Sequence, residues 1–222
     1  MSTTEVTVAV AVASDRSLVA DAVATALAGG SLGTVRIPWP AERRDRVSGW
    51  PDGSPPPEQA LMLCDLEPSS LEAARWVVRR YPAQWLLLTD APRGPLWGAM
   101  IEVGVAHILP SSTTMADVLH ALAAARQGAV GNGRTDRDEL VGLWHRQLAA
   151  RAAARARMST VTGRERQVLR QLHLGRTVVQ IAAYNEVAPS TVRSQVRSLL
   201  RKLGVNSQLA AAAHYERWGD TP

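Results

Sequence analysis

Acids and a hydroxyl stand where apolar runs end. Asp15 follows "VTVAVAVAS" (6–14), Asp65 closes "ALMLCD" (60–65), and Thr89 lies near the end of "WLLLTD" (85–90). Burying a lone carboxylate is costly, so an acid at the mouth of an apolar strand needs a reason. Asp65 could accept a phosphoryl group, or be the remnant of an acid that did. A second set is mostly basic. Arg193, Ser194, Arg197 and Arg201 recur at helical spacing along "PSTVRSQVRSLLRKLG" (189–204). Guanidinium forks pair with phosphate oxygens and with the major-groove edge of guanine.

Residues 1–127 must position the first set, and they alternate strand-like with helix-like stretches. The strands are 6–14, "GTVRI", 60–65, 85–90 and "AHILP" (106–110); helical patterns stand at "RSLVADAVATALAGG", "SSLEAARWVVRRY", "LWGAMIEVG" and "TMADVLHALAAARQG". β-Branched residues favour strands, and strands alternating with helices predict a parallel sheet covered on both faces. Side chains at the carboxyl ends of such strands share one crevice. Asp15, Asp65, Thr89 and Pro110 are therefore expected together. The Pro- and Gly-rich stretch 38–58 is expected to be loop with at most a short helix. "GAVGNGRTD" (128–136) reads as a boundary. Residues 137–158 read as a helix with Leu140, Leu143, Trp144 and Leu148 on one side, taken as a solvated linker or as a helix that pairs two chains.

The bulk numbers narrow the class. The chain has 222 residues, 46% of them hydrophobic, and a net charge of +5 carried almost wholly by arginine, with Lys202 the one lysine. This suits a folded protein with a nucleic-acid partner without specifying one. Cys64 is the single cysteine, so no disulfide framework forms within one chain and a reducing cytoplasm fits. The five histidines are scattered without metal-ligand spacing. No apolar run spans a membrane, and no signal peptide opens the sequence. A Gly-rich phosphate loop and a Ser/His/Asp pattern are missing, so an enzyme is not expected, nor a cofactor or a metal.

Residues 159–222 position the second set. Thr162 with Glu165, and Thr177 with Gln180, have capping-box spacing. The first helix should run from Gly163 to near Gly175, the second from after Thr177, and "NEVA" is the turn. Pro189 suits the first position of the third helix and Gly204 ends it. Val192, Val196, Leu199, Leu200 and Leu203 form one apolar stripe, with the arginines on the outward side. Ser207 can cap a last helix, "QLAAAAHYERW".

The stretch 161–207 resembles the helix-turn-helix of LuxR/NarL-type bacterial transcription regulators. The spacings "T-x-R-E-x-x-V-L", "G-x-x-x-x-x-I-A", "S-T-V-R" and "K-L-G-V" carry the resemblance. It implies base-edge contacts from Arg193, Ser194 and Arg197, phosphate contacts from Thr191, Arg201 and Lys202, and a dimerising last helix. Three positions depart from the pattern. Ala188 replaces the usual serine cap, Asn185 a packing leucine, and Gln195 a frequent histidine.

The strand-helix order of 1–127 resembles the receiver domain of response regulators, with sheet order 2-1-3-4-5. That resemblance implies a phosphorylation pocket in which Asp65 is the acceptor, Asp15 one metal acid and Thr89 the phosphoryl-binding hydroxyl. Ser14 stands where a second acid belongs, Ser111 where a lysine belongs, and Ile108 where a switch aromatic belongs. Without metal and lysine, charge on a transferring phosphoryl group is not stabilised. The expectation is a degenerate pocket in which Asp65 bonds Thr89 or backbone amides. Such a crevice could also take a small-molecule ligand that the sequence does not identify.

The sequence thus predicts an α/β receiver-like domain (1–127), a helical linker (128–158) and a four-helix LuxR-type domain (159–222). The expected function is sequence-specific regulation of transcription on double-stranded DNA, as a cytoplasmic homodimer controlled by dimerisation, partner or ligand. The alternatives are an interaction protein that pairs with a related regulator as a heterodimer, and a conventional regulator switched at Asp65.

Overall fold

The computed structural model describes residues 8–29, 32–40, 56–128, 131 and 133–218. Most of the expected 38–58 loop and part of the 128–136 boundary lie outside these residues. The chain divides into two compact units, Met1–His145 and Arg146–Pro222.

In the first unit the strands are β1 (Val8–Ser14), β2 (Gly33–Ile37), β3 (Gln59–Leu63), β4 (Gln84–Thr89) and β5 (Val105–Pro110). They form one parallel sheet of order β2-β1-β3-β4-β5, as the sequence predicts. The helices between and after them are α1 (Ser17–Gly29), α2 (Pro68–Arg80), α3 (Pro95–Glu102) and α4 (Met115–Arg126).

Near-continuous apolar strands are what burial on both faces demands. Alternate residues divide between two cores. Val10, Val12, Leu61, Leu86 and Leu88 pack with Ala20 and Leu27 of α1 and with Val118 and Leu122 of α4. Ala11, Ala13, Ala60, Met62, Trp85 and Leu87 pack on the opposite face with Leu71, Ala74 and Val77 of α2 and with Trp97 and Met100 of α3.

A further helix, α5 (Arg134–Ser159), begins in the first unit and ends in the second. Its first turns are not a solvated linker. Leu140 and Trp144 are buried in the α2–α3 core, while Leu148 is exposed. Arg137 donates to the carbonyls of Val105 and Ala106 at the start of β5, covering part of the edge strand. At Gly98 a Cβ would collide with the Leu140 carbonyl, so the close approach of α3 to α5 requires glycine there. Glu102, the last residue of α3, accepts from Arg75, from Trp144 Nε1 at 3.1 Å, and pairs with His145 at 2.6 Å. Its carboxyl is held below the usual range, chiefly by the His145 hydrogen bond.

The second unit contains α6 (Gly163–His173), α7 (Val178–Tyr184), α8 (Pro189–Leu203) and α9 (Gln208–Trp218). Both expected capping boxes form, Thr162 with Glu165 and Thr177 with Gln180. Gly204 ends α8 in the left-handed conformation at φ 67°. The core joins Val168, Leu169 and Leu172 of α6, Ile181 and Ala182 of α7, and Val192, Val196, Leu199 and Leu203 of α8. Among the described residues no helix is long and apolar enough to cross a membrane.

Candidate functional site

Two places in the chain assemble the candidate side chains, one in each unit. In the second unit the apolar stripe of α8 faces α6 and α7. Arg193, Ser194, Arg197, Arg201 and Thr191 are exposed on the rest of its surface. Burying that stripe fixes the helix's rotation, so the guanidinium groups must point outward. The Ala188 cap makes no side-chain hydrogen bond, and Pro189 supplies the first helical residue without an N–H. Losing a hydroxyl cap costs about 1 kcal/mol, which a proline at this position partly offsets.

The turn before α8 is repacked around Asn185. Its side-chain oxygen accepts from Gln167 Nε2 at 3.1 Å, replacing apolar packing by a polar tie between α7 and α6. Glu186 takes φ 54°, a left-handed conformation unusual for a residue with a side chain. A groove beside this turn is lined by residues that include Arg164, Gln167, Tyr184, Asn185, Thr191 and Gln195.

Lys202 is set differently from its neighbours. It is half-buried, and its ammonium donates to Oε2 of Glu165 at 2.7 Å. Glu165 is 7% exposed. Burial opposes its charged form, but hydrogen bonds from Lys202, from the N–H and hydroxyl of Thr162, and from Ser198 prevail and hold its carboxyl down at about 2. Lys202, expected at a phosphate, is engaged in this structure by an internal ion pair that ties the end of α8 to the start of α6.

In the first unit the carboxyl ends of β1, β3, β4 and β5 meet in a crevice. Ser14, Asp15, Arg16, Asp65, Asp90 and Ser111 line it with apolar neighbours. Asp15, Asp65 and Ser111 are thus together, as topology requires. Thr89 is 2% exposed and its hydroxyl accepts from the Ala91 N–H at 3.1 Å, so it closes the β4 turn from beneath. The expected bond from Thr89 or backbone amides to Asp65 is replaced by a guanidinium. Arg16 Nη2 donates to Asp65 Oδ2 at 2.6 Å. The Ser111 hydroxyl donates to Asp90, and the Ser14 hydroxyl accepts from the Arg16 N–H at 3.1 Å. Burial raises the Asp15 carboxyl, with Asp65 adding to the rise and Arg16 opposing it. Behind the crevice Cys64 is 3% exposed, and burial pushes its thiol up to about 12.

Arg16 and Asp90 are the members that sequence reasoning passed over. Both signals were available. Arg16 directly follows Asp15, and Asp90 directly follows Thr89.

The first unit thus carries a doubly wound sheet with acids at its strand ends, and the second a helix-turn-helix with a basic outward face. The chain's C-terminal domain belongs to the luxR family of bacterial regulatory proteins, whose family model matches residues 159–215. The chain is 32% identical over 146 residues to the "probable transcriptional regulatory protein NarL" of Mycobacterium tuberculosis, an alignment covering 63% of each chain. It is 34% identical over 130 residues to the "nitrate/nitrite response regulator protein NarP" of Escherichia coli, covering 58% of each. The matches thus span about three-fifths of these relatives' lengths. Among solved structures, the response regulator RcsB of Salmonella typhimurium aligns over 96% of this chain and 99% of its own, with TM-score 0.42 and 18% identity. The response regulator StyR aligns over 95% and 98%, with TM-score 0.38 and 19% identity.

Proposed function

We propose that this chain regulates transcription by binding double-stranded DNA in a sequence-specific way, with α8 in the major groove. One observation carries the reading: Arg193, Ser194, Arg197 and Arg201 are exposed along a helix whose opposite stripe is buried. A helix fits the major groove, and guanidinium pairs with guanine there. The luxR family match and the names of the relatives support the same function. Arg193, Ser194 and Arg197 read base edges; Thr191 and Arg201 hold phosphates. The chain works in the cytoplasm as a homodimer on paired half-sites, because one small module binds weakly at physiological salt.

Control is exerted through dimerisation, a partner or a ligand rather than through phosphorylation of Asp65. In support, Ser111 stands in the lysine's place and Asp65 is paired with Arg16. Genomic footprinting followed by salt-dependent gel shifts tests the DNA reading. A specific shift by the purified protein supports it. A shift that appears only after a second regulator is added makes the chain a heterodimer partner instead. Incubation with acetyl phosphate and Mg²⁺ followed by intact-mass measurement tests the control. A stable mass increase lost in Asp65→Asn would make the chain a conventional phosphorylation-switched regulator.

A further inference from the structure

Receiver chemistry needs a divalent cation at the strand-end acids, and the residues of this crevice do not fit one. Mg²⁺ is held by oxygen ligands in near-ideal octahedral geometry, commonly one or two carboxylates with water and phosphate oxygens. Here Ser14 takes the place of one acid, and its hydroxyl is engaged by the Arg16 N–H. An oxygen of Asp65 is given to the Arg16 guanidinium at 2.6 Å. Asp90, also on the crevice wall, is bonded by the Ser111 hydroxyl. Among the described residues no group of three or more His, Cys, Asp or Glu side chains could hold a metal ion.

We infer that Arg16 is a built-in counter-cation that neutralises Asp65 and keeps divalent metal out of the crevice. The inference deepens the proposal that Asp65 is not a phosphorylation switch, and it rests on reading this crevice as receiver-like. Arg16 directly follows Asp15 in the chain, so the turn after β1 delivers both a carboxylate and the cation that answers its neighbour. A guanidinium suits that place because it stays charged at every physiological pH. Its positive charge also repels a second cation at contact distance, an effect that water weakens without removing. The Arg16 and Asp65 side chains are 66% and 33% exposed, so the pair adds little to stability. Its consequence is occupancy of Asp65. Removing the guanidinium leaves Asp15 and Asp65 facing one solvent-open crevice, the two carboxylates a hydrated divalent ion can use.

The test is equilibrium binding of Mn²⁺, followed by paramagnetic line broadening and by calorimetry, on the full-length chain and its variants. Wild type should show no saturable site at millimolar Mn²⁺. Arg16→Ala should gain a saturable site at least about tenfold tighter than the limit set by the wild-type titration. Ser14→Asp with Arg16→Ala should bind more tightly again, and adding Asp65→Asn should abolish the gain. Saturable binding by wild type that Asp65→Asn removes would overturn the inference. So would an Arg16→Ala variant that melts like wild type but gains no affinity. Should Arg16→Ala fail to fold, the wild-type titration and an Arg16→Gln variant decide the matter. None of these readouts depends on DNA, so failure here is distinct from failure of the operator-binding reading. A positive acetyl phosphate result would overturn the proposal about Asp65 without a metal measurement.

Discussion

The ammonium of Lys202 lies 2.7 Å from Oε2 of Glu165, and the same oxygen accepts from the N–H of Thr162 at 2.9 Å and its hydroxyl at 2.8 Å. One carboxylate thus closes the capping box of α6 and anchors the last turn of α8. The lysine stands on α8 beside the exposed arginines, yet its ammonium is engaged within the domain.

The pairing sets a pH dependence. Glu165 is held at about 2 when folded, below its ordinary value of 4.5. A carboxyl depressed on folding contributes stability above its unfolded value and loses it as pH falls through the folded value. The contribution is on the order of 1–3 kcal/mol, present above about pH 4.5 and lost toward pH 2. Glu165→Gln should lower the midpoint of urea unfolding of the C-terminal unit at neutral pH. It should also flatten the pH dependence in that window. A variant with the wild-type pH profile would show that the carboxylate is not stabilised in this way.

Arginine and lysine on α8 should separate in DNA binding. Arg197→Ala is expected to cost about 1–3 kcal/mol at a footprinted site and to relax preference at one base position. Arg201→Ala should weaken all sequences alike and reduce the salt slope by about 1. Lys202→Met should leave the salt slope unchanged while lowering the unfolding midpoint. A slope reduced by Lys202→Met as much as by Arg201→Ala would return that lysine to the phosphate contacts. Fluorescence anisotropy across a salt series makes the comparison.

Gly98 offers a test in which two effects oppose each other. Alanine in a helix interior normally gains about 1 kcal/mol over glycine. Here the added Cβ meets the Leu140 carbonyl, and forcing a well-packed contact apart costs roughly 1–3 kcal/mol. Gly98→Ala should therefore be net destabilising, with faster amide exchange in 137–145. Stabilisation by Gly98→Ala would mean that α3 and α5 are not closely packed.

Cys64 should be silent. Its thiol is buried and pushed up to about 12, so almost no thiolate exists at neutral pH. Aromatic disulfide reagents are expected to modify it only at the rate of unfolding. Rapid stoichiometric labelling of the folded protein would contradict the burial.

Much of this was legible because it is local or periodic. The Val and Leu runs of β1, β3 and β4 give the sheet, and the Thr-x-x-Glu and Thr-x-x-Gln spacings mark where α6 and α7 begin. The outward side of α8 follows from its apolar stripe. What escaped depends on side chains distant in sequence. Arg16 meets Asp65 across 49 residues and Lys202 meets Glu165 across 37, and no periodicity encodes either pair. Thr89 was expected at the crevice because strand ends gather there, but the turn to Ala91 takes its hydroxyl first. The apolar side of 137–158 was visible in Leu140 and Trp144. Its destination was not, because an apolar stripe does not say whether it will cover a sheet or another chain.

The glycine at 98 bears on how this polypeptide is best cut for separate production. A fragment ending at residue 127 would strip Leu140 and Trp144 from their seats and remove Arg137 from the β5 carbonyls. The exposed seam would be greasy and prone to precipitate. A fragment carried through His145 keeps the seam shut and retains the Glu102 cluster, so a useful truncation ends partway along α5 rather than before it.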